Sequence, residues 1–149
     1  MEKIGPGKRS VLTPEGGIGV YFINKTGAAS VKGTLVNTEA SEDFAVNTVS
    51  ADEPDIVGVI YEDGIPDGEK VLVIVTGIAD VLIEDGTSAT RGYWCRISET
   101  QAGRADITNS EPPGGTISAI ESHFKEIGHC LENKVSGTDI LCKIAMHFN

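Results

Sequence analysis

Apolar positions in this chain fall in short runs separated by polar, glycine-rich turns, and one run stands out. It is Val71-Leu72-Val73-Ile74-Val75-Thr76-Gly77-Ile78-Ala79-Asp80-Val81-Leu82-Ile83. A membrane-spanning helix needs about 20 apolar residues, and Gly77 and Asp80 interrupt this shorter run. Its β-branched composition and its flanking turns, Asp63–Gly68 and Glu84-Asp85-Gly86, point to strands instead. The pattern predicts a strand at Ile56–Tyr61, a turn, a strand at Val71–Val75, a kink at Gly77 and a strand at Ile78–Ile83.

The same reading places strands at Gly19–Asn24 and Ser30–Asn37, around the turn Lys25-Thr26-Gly27. Others are predicted near Phe44–Val49 and at Gly92–Ile97. Ile117, Ile120, Phe124 and Ile127 recur at helical spacing, and Ser118 with Glu121 fits a capping box, so one short helix is expected near 116–125. Residues 1–17 read as an extended N-terminal arm and 18–149 as a single β domain.

An internal repeat emerges on comparing distant segments. Val57-Gly58-Val59-Ile60-Tyr61-Glu62-Asp63 resembles Ile127-Gly128-His129-Cys130-Leu131-Glu132-Asn133. Each is followed by a glycine, Gly68 or Gly137, and then by an apolar strand, Val71-Leu72-Val73 or Ile140-Leu141-Cys142. This predicts two equivalent hairpins, the first carrying one extra turn residue. The expected fold class is all-β and mainly antiparallel, a compact β-barrel or β-sandwich with an internal hairpin repeat.

Composition agrees with that picture. The chain has 149 residues, enough to bury a core. With 18 glycines and only 4 Phe, 3 Tyr and 1 Trp, the core must be aliphatic. The net charge of −10 is concentrated between Glu39 and Glu69, a segment rich in Asp and Glu that lacks Lys and Arg. Such acidity disfavours binding to a nucleic-acid backbone. Basic residues gather near the start, among them Lys3, Lys8 and Arg9. The 3 cysteines, Cys95, Cys130 and Cys142, are odd in number and form no C-x-x-C, which argues against a secreted disulfide framework. The opening residues have no apolar segment of the kind a signal peptide carries.

No catalytic motif is present: neither G-x-S-x-G, nor a P-loop, nor H-E-x-x-H occurs. Pro14-Glu15-Gly16-Gly17-Ile18-Gly19 is glycine-rich but leads into a strand, so it reads as a turn rather than a phosphate cradle. His123, His129, Cys130, Cys142 and His147 have metal-ligand chemistry. His129 and Cys130 would face opposite sides of a strand, however, so a shared zinc is not expected. Asp52, Glu53, Asp55, Glu62, Asp63, Asp67 and Glu69 lack a calcium-loop spacing and read as a solvated rim. Tyr93 and Trp94 likewise face opposite ways, and one of them is expected in the core. The expectation is no enzyme, no catalytic or metal site and no cofactor.

The order of these β elements resembles the small decoration, or structural cement, proteins of tailed-bacteriophage capsids. The resemblance rests on Val57-Gly58-Val59, Gly68 to Val75, Thr76-Gly77-Ile78-Ala79, Gly92-Tyr93-Trp94, Ile127-Gly128-His129-Cys130-Leu131-Glu132 and Gly137 to Ile144. It covers about residues 16–148. Cys130 departs from the small alanine usual there, and residues 38–55 and 106–122 are longer than the family's linkers. The resemblance implies a virion structural protein that binds the exterior of the expanded head and bridges major capsid protein subunits. It also implies a homo-oligomer, with a trimer favoured, and assembly in the host cytoplasm; neither nucleic acid nor membrane is an expected partner. Lys3, Lys8 and Arg9 are the expected capsid-contact residues. A tail-fibre or spike domain is the alternative reading, because such domains share the closing hairpin. A small carbohydrate-binding β module or hydrolase is a further alternative.

Overall fold

The computed structural model describes residues 5–7, 9–110 and 123–147. The described chain is all-β, in one mixed, mostly antiparallel sheet of 10 strands. In chain order these are β1 (Ser10–Leu12), β2 (Gly17–Asn24), β3 (Leu35–Thr38), β4 (Ala45–Thr48) and β5 (Gly58–Ile60). They continue as β6 (Lys70–Leu82), β7 (Trp94–Ile97), β8 (Ala105–Thr108), β9 (Glu126–Cys130) and β10 (Leu141–Met146). Among the described residues no helix is long and apolar enough to cross a membrane. The helix expected near 116–125 falls mostly on residues outside the described set.

The long apolar run is one strand of 13 residues, β6, rather than two. Gly77 adopts φ 84°, and a β-bulge nearby lets the strand bend without losing its ladder: Ile18 pairs with Thr76 but Gly19 with Ile74. A side chain at 77 would strike the Gly16 carbonyl, 2.4 Å from an added Cβ, so the bend requires glycine. At this bend β6 changes partners. Its first half pairs with β2 and β5, and its second half pairs with β10.

The pairing closes on itself twice. β2 lies parallel to β4, β4 antiparallel to β3, β3 to β5, β5 to the first half of β6, and that half back to β2. The second half of β6 repeats the circuit with β8, β7, β9 and β10. Its parallel closing step is the bridge Ile83↔Ala105, which corresponds to Asn24↔Val46 in the first ring. Apart from β1, the described strands thus form two five-stranded rings of identical topology, with β6 serving as the last strand of one and the first strand of the next.

Matching hydrogen bonds fix the correspondence residue by residue. Gly33 N–H donates to the Ile60 carbonyl at 2.8 Å, as Gly92 N–H does to that of Cys130 at 2.8 Å. Glu62 Oε1 accepts the Leu72 N–H at 2.8 Å, and Glu132 Oε1 accepts the Lys143 N–H at 2.9 Å. Asp63 Oδ1 accepts the Lys32 N–H at 2.6 Å, and Asn133 Oδ1 accepts the Arg91 N–H at 2.9 Å. The repeated Glu-Asp and Glu-Asn pairs are therefore backbone caps at the mouth of each hairpin. The hairpin registers are Ile60↔Val73 and Cys130↔Ile144. It is therefore the second hairpin, not the first, that carries one extra residue.

The interiors correspond as well. Val36, Val46, Ile60, Val71 and Val73 form the core of the first ring, with Phe22, Val57 and Val75 packed against it. Their counterparts are Cys95, Ala105, Cys130, Cys142 and Ile144, with Val81, Ile127 and Met146, all in the second core cluster. Each fully buried Val or Ile contributes about 1.5–3 kcal/mol. The second cluster also takes in Leu35, Val59 and Ile74, on the outer face of the first ring, so the two rings share packing as well as a strand.

Two further differences from the sequence reading concern edges. The sheet begins at Ser10, within the stretch read as an N-terminal arm, and Gly17 already belongs to β2. β8, which the hydrophobic pattern does not announce, is paired to β7 through Cys95↔Ile107 and Arg96↔Asp106.

Candidate functional site

Three groups of side chains have the chemistry to act: the thiols, the ionic groups between the rings, and an aromatic–imidazole cluster on the second ring.

The thiols are core. Cys95, Cys130 and Cys142 are free and buried, at the positions held by Val36, Ile60 and Val71 in the first ring. Burial pushes the Cys95 thiol well above its ordinary range. Cys142 is raised too, first by its hydrogen bond with Cys130 and then by burial. Protonated thiols enclosed in a ring are neither nucleophiles nor ready metal ligands.

The ionic groups join the repeats. Asp80, on β6 beyond the bend, is largely buried and sits between Lys32 of the first ring, at 3.5 Å, and Lys143 of the second, at 3.1 Å. Hydrogen bonding to Asp80 raises the Lys143 pKa. Lys32 Nζ also lies 4.9 Å from the Tyr61 ring centroid, and the Tyr61 hydroxyl donates to Glu15 at 3.1 Å. Arg104 donates to the Ile83 carbonyl and to Asp85, and pairs with Asp139. These residues flank an open groove of about 390 Å³ lined by Val31, Lys32, Asp63, Leu82, Arg104, Asp139 and Leu141. Its cations are already paired with carboxylates, so it is a seam between repeats more than a receptor for an anion.

The acidic residues singled out in the sequence do not converge. Glu62 and Asp63 cap backbone amides, Asp67 accepts the Gly27 N–H at 2.8 Å, and Asp52 pairs with Lys125. Among the described residues no group of three or more His, Cys, Asp or Glu is placed to hold a metal ion. Glu126, buried at the start of β9, meets His123 at 3.0 Å, a pairing that the sequence does not signal.

The third group lies on the outer face of the second ring. Trp94 and His129 are cross-strand partners, with ring centroids 4.2 Å apart. His129 pairs with Ala145, and strand alternation puts His147 on the same face. His147 N–H donates to the Ile127 carbonyl at 2.7 Å, which anchors that residue beside the ladder. His147 Nε2 then lies 3.1 Å from His129 Nδ1. In the first ring the equivalents of Trp94, His129 and Ala145 are Leu35, Val59 and Ile74, which are 0%, 0% and 1% exposed. A face buried in one repeat is half-exposed and aromatic in the other.

Of the residues expected to contact a capsid, Lys3 and Lys8 lie outside the described residues, and Arg9 is exposed immediately before β1. β1 is an edge strand, bonded only to β2 among the described strands, and Leu12 on it is 75% exposed. No family model matches the chain, and no curated protein matches it significantly.

Proposed function

We propose that this protein is a virion structural protein of a tailed bacteriophage, one that decorates the outer surface of the expanded head and bridges major capsid protein subunits. The observation that carries this reading is the ordered series of motifs from Val57-Gly58-Val59 to Gly137–Ile144. The tandem rings support it on physical grounds: a short chain with two rings sharing a strand gives a stiff body with many turn surfaces for repeated weak contacts. Such contacts gain avidity when copies of the chain associate, a trimer being favoured, and when the shell repeats its sites. The basic residues Lys3, Lys8 and Arg9, ahead of an open edge strand on an acidic body, are the proposed capsid contacts.

Co-sedimentation with expanded empty capsids tests the reading. Saturable binding at a fixed ratio to the shell protein is expected. Binding to host cells or glycans with none to capsids would instead favour a tail-fibre or spike role. The triple variant Lys3→Ala, Lys8→Ala, Arg9→Ala leaves β1 in place and should weaken capsid binding, more so at low salt. Unchanged binding by that variant would remove the N-terminal residues from the interface.

A further inference from the structure

We infer that His129 and His147 form a binding site for a borderline divalent transition-metal ion, of the class of Cu²⁺, Ni²⁺ and Zn²⁺. His129 and Cys130 occupy opposite faces of β9, so those two are not expected to share an ion. Cys130 is indeed interior, but the partner imidazole comes from the end of β10 instead.

The geometry fits a chelate. A metal–imidazole bond of about 2.0–2.1 Å with an angle at the metal between 90° and tetrahedral requires nitrogens about 2.9–3.4 Å apart. Nδ1 of His129 and Nε2 of His147 are 3.1 Å apart. The two nitrogens face each other at hydrogen-bonding distance. An ion bound to both lies off the line that joins the nitrogens, so each ring turns about its side-chain bonds to aim a lone pair at it. The His129 ring packs against Trp94, and a backbone bond to Ile127 holds His147 beside the ladder, so part of the ordering cost is met before the ion arrives. Both residues are accessible, and water completes the coordination. Imidazole donors select the borderline ions over hard ones such as Mg²⁺, and the net charge of −10 favours cation approach. In the first ring the equivalents are Val59 and Thr76, so the site belongs to the second repeat alone.

The reporter is built in. Trp94 is the one tryptophan of the chain, and its ring lies 4.2 Å from that of His129 and 6.2 Å from that of His147. Titration of the full chain with Cu²⁺ should quench Trp94 emission saturably at one ion per chain, and Zn²⁺ should compete while Mg²⁺ does not. His129→Gln and His147→Gln should each weaken the Cu²⁺ midpoint at least about tenfold. His123→Gln, which alters a histidine outside the site, should not. Circular dichroism and the urea midpoint of each metal-free variant establish that the fold is intact. Quenching that does not saturate, or equal midpoints for wild type and both site variants, would overturn the assignment. Should one variant disturb folding, isothermal titration of the other with Zn²⁺ decides the question.

Discussion

At the scale of single residues, the two rings comment on each other. Gly58 and Gly128 occupy equivalent places, and a Cβ there would lie 2.3 Å from the Ile74 carbonyl and 1.9 Å from the Ala145 carbonyl. Backbone in the middle of a ladder cannot yield, so Gly58→Ala or Gly128→Ala should each cost about 3 kcal/mol or more, read from urea midpoints. By contrast, Gly27→Ala meets no atom within 4 Å and strains only φ 81°, for a cost of about 1 kcal/mol. The cysteines give a second test. Cys95→Val and Cys142→Val place in the second ring the residues that the first ring holds, Val36 and Val71, and should cost less than about 1.5 kcal/mol. Because Cys95 and Cys142 are both raised above the ordinary value of 9.0, the folded chain keeps protons that the unfolded chain releases. Their contribution is therefore intact below that pH and is lost as pH rises above it, by up to about 1.4 kcal/mol per pH unit per thiol. Unfolding curves between pH 8 and 11 should show this decline in wild type and a shallower one in the Cys→Val variants.

At the scale of elements, β6 governs the architecture. It has strand neighbours along its whole length and contributes Val71 and Val73 to one core and Ala79 and Val81 to the other. Amide hydrogen exchange should find its central residues among the slowest in the molecule, and β1, bonded on one side only, among the fastest. Rapid exchange along β6 would mean that the rings open independently at their shared strand. The strands themselves were largely legible in the sequence, because a β-branched run between glycine-rich turns has few other ways to satisfy its backbone. β8 was not. Ala105-Asp106-Ile107-Thr108 has one strongly apolar residue, and it is a strand because β7 offers it a ladder. Nor did the pattern reveal β6 as a single strand: Thr76-Gly77 looks like an end, whereas the bulge and the positive φ carry the chain onward.

At the scale of the molecule, the shared strand predicts shared fate. Neither ring can lose β6 without opening the other, so equilibrium unfolding should be one transition. Trp94 emission reports the second ring alone and far-ultraviolet circular dichroism reports both; their urea curves should coincide. A Trp94 transition that precedes the dichroism change would show the second ring unfolding by itself. The connection from Val46 to Gly58 in the first ring corresponds to that from Ala105 to Gly128 in the second, and the latter is the longer. Most of the extra chain is therefore accommodated at this one connection, the closing hairpin taking a single further residue, and the circuit of strands is the same in both rings.

The sequence by itself determined the all-β class, the aliphatic cores, the turns and the kinship of the two closing hairpins. These follow from local chemistry: residue shape, two-residue alternation and the glycines and carboxylates that backbone geometry demands. Only a fragment of the repeat is legible there, since Val36 and Cys95, or Ile60 and Cys130, are alike as buried apolar side chains and unlike as letters. Tertiary structure alone decided that the duplication embraces five strands, that β6 belongs to both copies, and that His147 comes to rest beside His129 and Trp94. Those relations depend on register between strands distant in the chain. Register is set by the whole hydrogen-bonded circuit and by the cores it encloses.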